Sequence, residues 1–167
     1  MAREQPVRRP VSNYISIAGE QRLKDELRYL WREERPRVTQ QVSDAAALGD
    51  RSENAEYIYG KKRLREIDRR VRYLSKRLEQ LTVVREKPAD QSKVYFGARV
   101  SLATDSGETV CYRLLGPDEI DVAAGDISID SPMGKTLLGK SLDSEVRIKS
   151  PTGTRTYVIV AIDYTTP

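Results

Sequence analysis

Asp50 and Glu53 stand three residues apart in Leu48-Gly49-Asp50-Arg51-Ser52-Glu53-Asn54, a turn-rich run between two segments of periodic apolar residues. Carboxylates at this spacing can do one of two jobs. They can offer oxygen ligands to a hard cation, or they can form a capping box, with Asp50 as N-cap and Glu53 reaching back to satisfy N–H groups at the start of a helix. Ser52 is an alternative cap. Glu56 either faces the same ion or occupies the first helical turn for its favourable dipole. Two carboxylates are too few to hold magnesium well by themselves.

What the chain lacks narrows the chemistry further. There is no histidine among its 167 residues, which removes the usual general base, the usual zinc ligand and every histidine-based triad. Cys111 is the sole cysteine and lies in an alternating run, so an internal disulfide is impossible and a buried apolar role is expected rather than a reactive one. Hydrophobic residues make up 38% of the chain, with one Trp and one Phe, enough for a modest aliphatic core. No apolar run has the length of a membrane span and the start lacks a secretory h-region, so a cytoplasmic protein with no membrane partner is expected.

The net charge of +4 is unevenly spread. Residues 51–85 hold eleven Lys or Arg against five Asp or Glu, whereas residues 86–167 hold nine against twelve. Lys61, Lys62, Arg63, Arg65, Arg69, Arg70 and Arg72 make the middle segment basic, with Glu66 and Asp68 interspersed. A charge-rich exposed helix face, with Glu66 pairing Arg70 at i,i+4, accounts for much of this run. The excess is larger than such pairing needs.

The elements that must position these residues follow from periodicity. Ser16 can cap a helix carrying Leu23, Leu27 and Leu30, with a stripe that resumes at Val38, Val42 and Ala45 or Ala46. Pro36 lacks an N–H and crowds the preceding turn, which predicts a bend near residues 33–36 without ending the helix. Leu64, Ile67, Val71, Leu74, Leu78 and Leu81 follow the 3, 4, 3 spacing of a coiled-coil seam. Two helices of about 28 residues, joined at the acidic turn, would pack antiparallel and run about 40 Å. Beyond Lys87-Pro88-Ala89-Asp90, strands are expected at 93–103, 109–115, 126–129, 144–149 and 155–163, with a short helix within Pro132–Lys140. Thr156, Val158, Val160 and Ile162 alternate as in a half-buried strand. The reading is an α+β chain: an arm over 1–12, an antiparallel α-helical coiled-coil hairpin over 13–86 with its acidic tip at 48–57, and a small α+β domain over 87–167.

Three stretches carry a resemblance: Tyr29-Leu30-Trp31-Arg32-Glu33-Glu34-Arg35-Pro36, the run LGDRSENAEY from Leu48 to Tyr57, and KKRLREIDRRVRYL from Lys61 to Leu74. Ile127-Ser128-Ile129-Asp130-Ser131-Pro132, followed by Leu138-Gly139-Lys140, adds a fourth. Together they resemble the bacterial transcript-cleavage factors of the Gre family over about residues 13–167. That resemblance implies a catalytic accessory rather than an enzyme. Such a factor binds bacterial RNA polymerase, inserts its hairpin through the secondary channel, and helps the polymerase's own active site cleave backtracked RNA.

In that setting Asp50 and Glu53 complete a magnesium site whose other ligands belong to the polymerase, with no Mg²⁺ held stably by the factor alone. Arg51, Lys61, Lys62, Arg63, Arg65 and Arg69 are then expected to face the 3′ end of the backtracked RNA through phosphate attraction. Tyr57 and Tyr59 either stack on a base or rest against the first helix. Asp130, Ser131 and Pro132 match the docking residues that hold the coiled coil at the channel rim. Asp130 and Pro132 also read as the cap and first turn of a short helix. The family's C-terminal fold resembles the peptidyl-prolyl isomerase FKBP, which does not imply isomerase activity.

The chain departs from the family where Ser16-Ile17-Ala18-Gly19-Glu20 replaces the common Thr-Pro-Glu-Gly-Tyr, and its N-terminal arm is long. A monomer is expected when the factor is free. Three rivals stand beside the cleavage factor: a channel-binding regulator without cleavage activity, a free-standing nucleic-acid module, and a self-sufficient nuclease. The acidic tip favours cleavage over the first, negative charge in the second domain opposes the next, and the shortage of ligands opposes the last.

Overall fold

A computed structural model of the chain describes residues 11–50 and 53–165. It divides into two compact units, one spanning Ala18–Leu81 and the other joining the segment before Ala18 to everything from Thr82 onward.

The first unit is helical because its apolar residues keep one face. Helix α1 spans Ile17–Tyr29, α2 spans Arg35–Ala47 and α3 spans Ala55–Gln80. Between α1 and α2 lies a π-helical turn, Leu30–Glu34, closed by the Arg35 N–H donating to the Leu30 carbonyl. Pro36 explains the turn: it has no N–H to give and its ring crowds the carbonyl four residues back, so the helix widens there and continues. The widened turn also shifts the seam. Leu23, Leu30, Val38 and Ala45 are buried, and Glu34, only 8% exposed, takes the place between Leu30 and Val38.

The expected seam of α3 faces them, with Ile67 and Leu74 buried and Leu64, Val71, Leu78 and Leu81 half-buried. It begins one step earlier than expected, at buried Gly60. A Cβ there would stand 2.5 Å from Val42 Cγ2, so the bare glycine lets α2 and α3 close up near the turn.

Ion pairs set the register of this hairpin. Arg70 grips Glu26 with two hydrogen bonds of 2.6 and 2.9 Å, Arg63 grips Glu34 at 2.6 and 2.8 Å, and Arg35 meets Asp68 at 2.8 Å. The Glu26–Arg70 pair lies further in sequence from the turn than the other two, as antiparallel packing requires. Glu66 bonds Arg63 rather than the expected Arg70, because cross-helix Glu26 presents Arg70 with a planar carboxylate that matches its fork.

The second unit is a five-stranded sheet in the order β5-β4-β3-β7-β6. Its strands are β3 Arg99–Thr104, β4 Thr109–Leu115, β5 Asp126–Ser128, β6 Glu145–Ser150 and β7 Gly153–Asp163. β4 and β5 run parallel and the other pairs antiparallel. A short helix, α4 Pro132–Leu137, packs against this sheet. Val94, Val100, Leu102, Leu114, Leu137 and Ile159 fill the core with no measurable exposure. The class is α+β, as expected from the alternation of patterns.

Cys111 on β4, expected to be buried, is exposed, and two features of the strands also differ from the sequence reading. In β7 the buried residues are Tyr157 and Ile159, not the alternating set Thr156, Val158 and Val160. A bulge explains the mixture: Ser101 pairs Ala161 while Leu102 pairs Ile159, leaving Val160 exposed and returning Ile162 toward the core.

The other difference is a pair of short strands, β1 Tyr14–Ser16 and β2 Thr82–Val84, which run parallel to one another. Fully buried Ile15 lies in β1, and the Thr82 N–H donates to the Asn13 carbonyl at 2.7 Å. Residues 13–17 and 82–86, expected with the hairpin, therefore belong to the second unit. Among the described residues, no helix is long and apolar enough to cross a membrane.

Candidate functional site

The acidic turn is held by Asn54. Its side chain accepts the Tyr57 N–H at 3.1 Å, making it the N-cap of α3, and its amide donates to the Ala45 carbonyl at 2.6 Å, near the end of α2. One side chain thus satisfies a donor of one helix and an acceptor of the other. The Glu53 N–H closes a turn onto the Asp50 carbonyl at 3.3 Å, and both residues are exposed.

This geometry corrects the capping-box alternative. Asp50 and Glu53 are not the N-cap and N3 residues of α3, because the cap sits one residue beyond Glu53. The signal for Asn54 was present in the run itself, since asparagine is among the strongest N-caps. Glu56 lies in the first turn of α3, where its charge suits the helix dipole. Arg51 and Ser52 lie outside the described residues.

Asp50 and Glu53 are hard oxygen donors of the kind magnesium accepts alongside water and ligands from another source. Among the described residues no group of three acids, cysteines or histidines could hold a metal. The donor chemistry of Asp50 and Glu53 suits magnesium, and two carboxylates alone are too few to complete its coordination.

The basic run on α3 separates into two kinds of residue. Lys61, Arg65 and Arg69 are exposed and recur every four residues, so they share a face, with Lys62 exposed beside them. Arg63 is different. Its guanidinium is bound by Glu34 and Glu66, and the hydrogen bond to Glu34 is the main reason its pKa is raised above the usual arginine value. That cross-helix bond neutralises a buried glutamate. Tyr57 is half-buried on the α3 seam side, whereas Tyr59 is 71% exposed.

Asp130, Ser131 and Pro132 follow β5. Ser131 is the N-cap of α4: its hydroxyl accepts the Gly134 N–H at 3.0 Å and donates to the Ser128 carbonyl at 2.6 Å. Pro132 occupies the first helical position and is exposed. Asp130 is not the cap. Its half-buried carboxylate accepts the Ser12 N–H at 2.9 Å on one oxygen and the Ser12 hydroxyl on the other.

Comparison with known proteins gives the family. The N-terminal model of the GreA/GreB transcription elongation factors matches residues 13–83, and the C-terminal model matches residues 88–164. Transcription elongation factor GreB of Pseudomonas aeruginosa is 56% identical over 164 residues, covering 98% of each chain. The GreB of Yersinia pestis is 60% identical over 153 residues, covering 92% of this chain and 90% of its own. That of Haemophilus ducreyi is 57% identical, covering 93% and 96%. Two family models that between them span nearly all of the sequence, and near full-length relatives at this identity, place the chain in the GreA/GreB family of transcription elongation factors.

Proposed function

We propose that the protein binds RNA polymerase, enters its secondary channel with the α-helical hairpin, and stimulates the polymerase's own cleavage of backtracked RNA. The observation that carries this reading is the cap at Asn54: the N-cap of α3 is Asn54 rather than Asp50, and Asp50 and Glu53 both stand exposed in the turn before it.

The factor is an accessory rather than an enzyme: the sequence holds no histidine base, and the two tip carboxylates are too few to hold magnesium alone. Magnesium shared with the polymerase would provide Lewis-acid activation of water and stabilisation of the leaving oxygen. Asp50 and Glu53 bring negative oxygen atoms to that centre and orient the attacking water by accepting its hydrogen bonds. Lys61, Lys62, Arg65 and Arg69 attract the phosphates of the extruded 3′ RNA. Asp130 and Pro132 contact the coiled coil at the channel rim, and the free factor is a monomer.

The test uses backtracked polymerase complexes with 3′-labelled RNA, given magnesium and either wild-type protein, Asp50→Asn, Glu53→Gln or the double variant. Cleavage is expected to fall by about 10²-fold or more, while helicity and polymerase affinity stay near wild type. Full activity of the double variant would reject the catalytic reading and leave a channel-binding regulator. Fragments released from free RNA by the factor alone would reject the accessory role.

A further inference from the structure

Asp130 sits in the segment between β5 and α4, and a carboxylate there is useful to a partner only if it points one way. A lone aspartate samples several rotamers, and fixing one on binding costs affinity. Here the fixing is already done. Ser12 donates its backbone N–H to one oxygen of Asp130 at 2.9 Å and its hydroxyl to the other, so both oxygens are held by a residue 118 positions away. An ionised carboxylate offers about four lone-pair directions, and two donors leave others for a partner.

The serine is itself anchored. Asn13 accepts the Thr82 N–H, Ile15 is fully buried, and four residues after Ser12 the same device recurs. Ser16 donates its N–H to Glu119 at 2.7 Å and its hydroxyl to the other oxygen of that buried carboxylate. The Tyr14 carbonyl lies so close to Gly116 that a Cβ at that glycine would collide with it. The segment 12–16 is thus fastened at both ends and in its middle. Ser131, by capping α4, relieves Asp130 of the alternative job of doing so.

We infer that Ser12 is a positioning residue for partner docking: it preorients the Asp130 carboxylate so that a cationic or N–H donor on the polymerase meets it in one geometry. This rests on Asp130 being a docking residue, and the experiment keeps the two ideas apart. Core RNA polymerase is titrated with wild-type protein, Ser12→Ala, Ser12→Thr, Asp130→Asn and the double variant Ser12→Ala/Asp130→Asn. Thermal unfolding is recorded for each.

Ser12→Ala is expected to weaken binding by roughly 3- to 10-fold, the cost of ordering a side chain on association. Ser12→Thr, which keeps the hydroxyl, is expected to restore it. In the Asp130→Asn background Ser12→Ala is expected to have a much smaller effect, which a purely structural role for Ser12 would not produce. An Asp130→Asn variant with wild-type affinity would overturn the docking assignment. Weakened binding by Asp130→Asn with no effect of Ser12→Ala would overturn the positioning role alone. Tighter binding by Ser12→Ala would also overturn it, by showing that the serine competes with the polymerase for the carboxylate.

Discussion

Asn54 is the residue on which the acidic tip depends. Its oxygen caps α3 and its amide reaches α2, so the two contacts can be removed separately. Asn54→Asp keeps a capping oxygen and loses the donor, whereas Asn54→Ala loses both. Asn54→Ala is expected to lower stability by about 1 kcal/mol. In urea unfolding Asn54→Asp is expected to lie nearer to wild type. Both variants are expected to slow cleavage of backtracked complexes, because the link between the helix ends helps fix where Asp50 and Glu53 stand. The acids themselves were legible in sequence, as were two uses for them. What sequence could not assign was which of several adjacent capping residues would take the cap, a choice settled by the position at which α2 delivers Ala45. Glu34 was equally hidden: it reads as a surface residue until the π-helical turn carries it into the seam beside Arg63.

At the scale of elements, the close approach of α2 and α3 can be weighed numerically. Alanine is a better helix former than glycine by about 1 kcal/mol, but overfilling a packed contact costs about 1–3 kcal/mol. With Val42 Cγ2 only 2.5 Å from the added methyl carbon, Gly60→Ala is expected to destabilise the hairpin, and Val42→Ala in the same chain to restore part of the loss, as measured by loss of helicity in urea. In the sheet unit, Tyr164 accepts the Tyr95 N–H at 2.8 Å and donates to the Lys93 carbonyl. Tyr164→Phe orphans both groups and is expected to cost about 1–3 kcal/mol.

Burial is the largest cause holding the Tyr164 phenol above its ordinary value. Its contribution to stability is therefore fully present below about pH 10 and lost as pH rises through the higher folded value. The Phe variant is expected to lack that part of the alkaline decline in melting temperature. The hairpin, an irregularity before Pro36 and the strand-rich unit were all legible from period and turn chemistry. β1 and β2 were not, since three-residue strands leave no period to read and their pairing joins segments on either side of the hairpin. The buried face of β7 was missed because a single bulge changes which alternate residues face inward.

For the whole molecule, the division of charge suggests a division of labour. Replacing Lys61, Lys62 and Arg65 by neutral residues is expected to reduce cleavage of deeply backtracked complexes more than polymerase affinity, and to flatten the salt dependence of cleavage. Equal loss of binding and cleavage would move these residues to docking. Arg63 is omitted from that set because its loss would strip Glu34 of its partner.

The parallel pairing of β1 with β2 has a separate consequence for how the chain is made. The sheet unit is discontinuous: its first strand leaves the ribosome before the hairpin, and its remaining strands after it. The helices can pair locally during synthesis, whereas Ser12 must wait for Asp130, 118 residues later. A chain still being translated can thus form its helical hairpin before its sheet unit, and the Ser12–Asp130 contact cannot close until Asp130 has emerged.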